Sequence, residues 1–125
     1  MILDTCALLW LAHDQSRLSK ETLEKIDQAP MVFIAAVTGY EIGVKYGAGK
    51  LKLPVPPREW ISAILSHHQI EIIGLDLETC LRATELPPIH KDPCDRFIIA
   101  TALLRDMPVA TADRLFSDYG VTVLA

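Results

Sequence analysis

"MVFIAAVTGYEIGVKYG", residues 31–47, changes its period part-way through. Met31 to Ala35 form a short apolar run with β-branched and aromatic members, the composition of a strand. From residue 36 to 46 the spacing becomes helical: Val37, Tyr40 and Val44 share a face with Glu41. A strand that runs straight into a helix is the building unit of an α/β domain.

The same unit recurs on both sides. "MIL" (1–3), "IEII" (70–73), "PVAT" (108–111) and "VTVL" (121–124) are further strand-like runs. A helix follows the first of them, beginning near Thr5. Helical patterns also cover residues 19–28, 57–68, 76–86 and 93–105. Ser19 is placed to cap the first of these, Pro57 to open the second, and Asp76 to start the third, which stops before Pro87-Pro88. The expected fold is a three-layer α/β/α sandwich with a mostly parallel sheet of about five strands, formed by residues 1–125 as one domain. Functional side chains are then expected at the C-terminal ends of the strands. "GAGKLKLPVPP" (47–57) reads as a surface excursion; it lacks the spacing of a phosphate-binding P-loop.

Half of the residues are hydrophobic, the composition of a globular chain, and no apolar run reaches the ~18 residues of a membrane span. The start of the chain lacks the basic region of a signal peptide and carries Asp4 early. Cys6, Cys80 and Cys94 are odd in number and scattered, which suggests reduced, packing cysteines in a cytoplasm. A net charge of −4 argues against a protein that coats nucleic acid non-specifically. It argues less against a nuclease, whose acids gather around a metal.

The acids repay attention one at a time. Asp4 follows the first strand, and Asp113 follows the strand ending near Ala110. Each also suits a helix N-cap. Glu41 sits on the apolar stripe of its helix, where a carboxylate is costly unless paired or metal-bound, and Lys45 at i+4 is a ready partner. Gly39 and Gly43 flank it and weaken the helix unless something approaches the backbone closely. In "HKDPCDRFIIATA" (90–102), Pro93 takes the first helical position, which makes Asp92 the N-cap and sets Asp95 in the first turn. Capping is worth about 1 kcal/mol at each of these positions. Taken together, all five acids face one rim of a parallel sheet. They would repel by several kcal/mol unless a cation lay between them. All-oxygen donors suit Mg²⁺ or Mn²⁺. The four histidines lack zinc-site spacing, and His90 is at most a supporting residue.

"ILDTCALLW", "TGYEIGVKYGAGKL", "HKDPCDRFIIATA" and "VATAD", in this order, resemble the PIN-domain ribonucleases, and more closely the VapC-like toxins of bacterial toxin–antitoxin pairs. The resemblance spans essentially the whole chain. It implies a PIN-like fold and a Mg²⁺- or Mn²⁺-dependent endoribonuclease. Asp4, Glu41, Asp95 and Asp113 take the positions of the acidic quartet, with Asp92 as an assisting ligand. Thr5 and Thr111 match hydroxyl positions supporting the acids. Lys45, Arg96 and Arg114 are candidate contacts to RNA phosphates, as are Lys50 and Lys52. The implied partners are the RNA substrate, a cognate antitoxin and a second copy in a homodimer; "LLWLA" and "EWISAIL" are interface candidates that core packing explains equally well. Tyr40 stands where an aromatic residue, often Trp, is usual, and Cys94 where Phe is common. Two other readings stand beside this one: a housekeeping RNA-processing nuclease of the same fold, and a non-catalytic α/β module with a Mg²⁺ pocket. Receiver and haloacid-dehalogenase patterns lack required residues; in the latter, Cys6 stands where an Asp is needed.

Overall fold

The computed structural model describes residues 1–125. In chain order the elements are β1 (Ile2–Leu3), α1 (Thr5–His13), α2 (Lys20–Gln28), β2 (Val32–Ala35), α3 (Ala36–Gly47), α4 (Pro57–His68), β3 (Ile70–Ile73), α5 (Leu77–Glu85), α6 (Pro93–Arg105), β4 (Val109–Ala110) and β5 (Val123–Leu124). Of two 3₁₀ segments, Gln15–Arg17 was not anticipated, whereas Arg114–Tyr119 starts on Asp113, whose side chain accepts the Leu115 N–H as the expected N-cap. Both are short and follow an aspartate, a composition that does not separate a 3₁₀ turn from a loop.

The five strands form one sheet in the order β3-β2-β1-β4-β5, and every pairing is parallel. Strand residues alternate between the two faces. Ile2, Ala35, Ile73 and Val109 enter a core shared with Ile98, Ile99 and Phe116, beneath α5 and α6. Leu3, Ile34, Ile70 and Ala110 enter the opposite core with Leu8, Ile42 and Trp60, beneath α1, α3 and α4. One apolar layer on each face gives the expected three-layer sandwich.

Local chemistry sets the helix ends. Ser19, Asp76 and Asp92 each accept backbone N–H bonds at an N-terminus, at Thr22, at Thr79, and at Cys94 with Asp95. Gln69 and Asp106 take left-handed conformations to end α4 and α6. In the 48–56 excursion Leu51 and Leu53 pack onto the core while Lys50 and Lys52 stay exposed, and Gly49 supplies a positive φ of 73°.

Several expectations need correction here. Leu8, Leu11 and Trp60 are buried, so "LLWLA" and "EWISAIL" mainly fill the core. The stripe that holds Glu41 is buried only in part: Val37 is in the core and the Glu41 side chain is 11% exposed, but Tyr40 and Val44 are 68% and 51% exposed. A Cβ on Gly39 would meet only Ile61 Cδ1 at 4.0 Å, and one on Gly43 would meet nothing. Packing within the chain therefore explains neither glycine. Cys6 is exposed and does not pack as a small hydrophobe.

Candidate active site

The chain visits β1, β2 and β3 in one direction and then returns to place β4 on the other side of β1. The strand order reverses between β1 and β4, and the crevice beyond their C-terminal ends is where α/β sheets bind ligands. Asp4 and Asp113 stand on either side of that crevice. The ladder continues past β1: the Asp4 N–H donates to the Ala110 carbonyl at 3.1 Å, which brings Asp4 beside Thr111.

Asp4 is only 6% exposed. One oxygen accepts the Ala7 N–H at 2.8 Å, so Asp4 caps α1, and the other accepts the Thr111 hydroxyl. Burial pushes its carboxyl above the usual range, against the lowering effect of those hydrogen bonds; the charges of Glu41 and Asp113 add to the rise. The Thr111 hydroxyl also accepts the Asp113 N–H at 3.0 Å. One hydroxyl thus ties together the two acids that flank the crevice.

Glu41 reaches the same rim from α3. Its oxygens take the Thr5 hydroxyl at 2.6 Å and the Lys45 ammonium at 2.9 Å. The i, i+4 pair is therefore formed, and it holds the Lys45 ammonium more firmly protonated than usual. Thr5 in turn lies 3.2 Å from the Thr38 hydroxyl. Asp92 is the exposed cap of α6, accepting the Cys94 and Asp95 N–H groups.

Asp95 is pushed up to about 7, first by burial and then by the charge of Asp92, with smaller contributions from Glu41 and Asp4; His90 works in the opposite direction. Its own burial first, and then the charges of Glu41, Asp92 and Asp95, push the Cys94 thiol up to about 11, so it is a thiol, not a thiolate, at neutral pH.

His90 is the residue that sequence reasoning undervalued. It is 9% exposed. Its Nε2 lies 2.7 Å from Asp113 Oδ2 and 3.1 Å from Asp95 Oδ2. His90, Asp95 and Asp113 place possible ligand atoms all within 4.8 Å of one another. Asp4, Glu41 and Asp92 are outside that tightest group, although Asp4, Glu41 and Asp92 all act electrostatically on Asp95. The available signal was the position of His90 directly ahead of the α6 cap.

Arg96 takes a different role from the expected phosphate contact. Its guanidinium donates to the carbonyls of Ala83, Leu86, Pro87 and His90 at 2.7–3.0 Å and to the Tyr119 hydroxyl at 3.4 Å. Its Nη1 and Nη2 donors are spent on the end of α5 and the loop ahead of α6. Arg114 is exposed at the start of its 3₁₀ segment, and Lys45 retains 41% side-chain exposure.

The donor set fits a hard divalent cation. The carboxylates offer hard oxygen donors on one rim, and the raised Asp95 reflects first its burial and then the negative charge around it. No helix is long and apolar enough to cross a membrane.

Comparisons with known proteins agree with this architecture. The PIN domain family model matches residues 1–121. Ribonuclease VapC22 of Mycobacterium tuberculosis is 26% identical over 115 residues, covering 91% of this chain and 87% of that protein. Among solved structures, VapBC2 from Rickettsia felis bound to a promoter DNA fragment is similar with a TM-score of 0.73 at 17% identity, covering 98% of this chain and 95% of that one. DNA-bound VapBC from Salmonella typhimurium gives 0.69 at 18%, covering 98% and 94%, and FitAcB from Neisseria gonorrhoeae 0.67 at 20%, covering 99% and 96%. At such identities the structural likeness is one of fold. With the sheet order, the acidic crevice and a family match running from the first residue to residue 121, the chain belongs to the PIN domain family.

Proposed function

We propose that this chain is a divalent-metal-dependent endoribonuclease acting as the toxin of a toxin–antitoxin pair. The observation that carries the reading is the convergence of Asp95 and Asp113 within 3.1 and 2.7 Å of one nitrogen atom, beside the buried Asp4, at the sheet's reversal point. Asp95 and Asp113 would hold the ion at the mouth of the crevice, with Asp4 beneath them. Ala7 and Thr111 orient Asp4 and leave lone pairs on both of its oxygens. Glu41, held by Thr5 and Lys45, closes the fourth side; Asp92 serves as the cap that aims Asp95 and adds negative charge beside it. Mg²⁺ or Mn²⁺, when bound, supplies a water acidified for attack at phosphorus and positive charge for the phosphate oxygens. Lys45 and Arg114, both solvent-accessible cations, would meet the RNA backbone.

The partner assignment rests on likeness: the similar solved structures include VapBC complexes and a toxin–antitoxin complex from Klebsiella pneumoniae. An arginine from a cognate antitoxin would complement the acidic rim. A homodimer and a cytoplasmic location, the latter in keeping with three free cysteines, complete the proposal. The test is cleavage of structured and single-stranded RNA with and without Mn²⁺ or Mg²⁺, run beside Asp4→Asn and Asp95→Asn. Activity that survives EDTA and both substitutions rules the mechanism out.

A further inference from the structure

His90 lies in the crevice, yet the nuclease reading does not use it. Three sets of contacts define what its ring can do. The backbone N–H of Asp92 donates to His90 Nδ1 at 3.2 Å. Nδ1 is therefore an acceptor and carries no hydrogen. In that tautomer Nε2 bears the hydrogen, and it faces Asp113 Oδ2 and Asp95 Oδ2 at 2.7 and 3.1 Å. Acting instead as a metal ligand, Nε2 would need its lone pair, the hydrogen would move to Nδ1, and two N–H donors would confront each other at Asp92.

The loop is anchored as firmly as the ring. The Tyr119 hydroxyl accepts the N–H groups of His90 at 2.6 Å and Ile89 at 3.2 Å, and donates to the Pro87 carbonyl at 2.8 Å. Arg96 grips the His90 and Pro87 carbonyls at 3.0 Å from the first turn of α6. Phe116 packs edge-on against the imidazole, with ring centroids 6.0 Å apart. Asp95, Arg96 and the cap Asp92 all belong to the start of α6, so ring, loop and carboxylate are one assembly.

We infer that His90 is a positioning residue of the metal site: its Nε2–H donates to Asp113 and lies close against Asp95, which sets the spacing of the two carboxylates, with Arg96 and Tyr119 holding it in place. The inference rests on the metal-dependent reading above. With Asp113 Oδ2 taken by the N–H and Asp95 Oδ2 held beside the same nitrogen, both carboxylates are fixed while each keeps lone pairs for an ion. Supporting residues of this kind change metal affinity by about 10–100-fold when removed.

Mn²⁺ binding, followed by electron paramagnetic resonance in the absence of RNA, tests this. The proteins are the full-length wild type, His90→Ala, His90→Gln and Asp95→Asn. Gln can present an N–H donor near the position of Nε2; Ala cannot. His90→Ala should weaken Mn²⁺ binding by about 10–100-fold, and His90→Gln should recover most of the loss. Pulsed spectra of the wild type should show no directly coordinated imidazole nitrogen. Wild-type affinity in His90→Ala, no recovery in His90→Gln, or a coordinated nitrogen in the wild type each overturns the positioning role. The arms separate the two claims: if Asp95→Asn binds Mn²⁺ as tightly as the wild type, the metal-site reading itself fails. A misfolded His90→Ala leaves the Gln variant and the wild-type spectrum to decide.

Discussion

Asp95→Asn should stabilise the metal-free protein at alkaline pH. In the fold the Asp95 carboxyl is raised from 3.8 to about 7, by burial first and then by Asp92. Below pH 3.8 the carboxyl is protonated in both states and contributes nothing. As pH rises from about 4 to 7 the unfolded chain ionises while the folded one keeps its proton, so folding binds a proton and stability falls. Above about 7 both states are ionised and the full cost remains. The unscreened cost is about 4 kcal/mol. Asp95 retains 20% side-chain exposure, and solvent screening brings the expected effect to about 2 kcal/mol. Its place in the first turn of α6 favours the charge by only about 0.3–1 kcal/mol, so the destabilising contributions win. Urea denaturation in EDTA should therefore show Asp95→Asn more stable than the wild type by about 2 kcal/mol at pH 8, with little difference near pH 4. Saturating Mn²⁺ should reverse the order at pH 8. A variant less stable than the wild type at pH 8 in EDTA, or an advantage independent of pH, would refute the electrostatic reading of the rim.

Asp4→Asn should lower RNA cleavage by at least about a hundredfold, equivalent to about 3 kcal/mol in the barrier, while circular dichroism reports an intact fold. Thr111→Val keeps the shape but removes the hydroxyl joining Asp4 to the Asp113 N–H; it should cost about 1–3 kcal/mol in denaturant unfolding. Arg96→Lys should destabilise by about 3 kcal/mol or more, since an ammonium cannot satisfy carbonyls at Ala83, Leu86, Pro87 and His90 together. Lys45→Met should move stability by no more than about 0.5 kcal/mol, yet reduce the salt dependence of RNA binding by about one ion; an unchanged slope would remove Lys45 from the phosphate contacts.

Much of the fold could be read because it depends on periodicity. The run from Met31 to Gly47 passes from strand to helix where its apolar spacing changes, and β2 and α3 meet at Ala35–Ala36. Caps were legible for the same local reason: Ser19, Asp76 and Asp92 act within three residues of themselves. Asp4 and Asp113 could be placed because a parallel sheet sends every strand end to one rim. Arg96 and His90 were not legible, since their roles depend on the return path of residues 86–91 and on Tyr119, far along the chain. Charge alone suggested that Arg96 met phosphate; the carbonyls that claim it belong to a loop whose course no local pattern encodes.

The division between what was legible and what was not follows the physics of the rim. Carboxylates clustered at strand ends destabilise the fold, and their number is visible in the sequence. What makes the cluster tolerable is a set of neutral donors, Thr5, Thr111 and His90, that reach across from other elements. A hydroxyl or an imidazole N–H supports a carboxylate without cancelling its charge, so the acids stay both ordered and electrostatically unsatisfied. A lysine or arginine in those three places would stabilise the fold more and fill the crevice with the charge a divalent cation must bring. Lys45, the one cation bonded to these acids, is 41% exposed and engages only Glu41. Asp4 and Asp113 are joined through Thr111 without a positive charge between them. On the proposed metal-dependent reading, that arrangement suits a cation, at a cost in stability relative to a crevice filled by lysine or arginine.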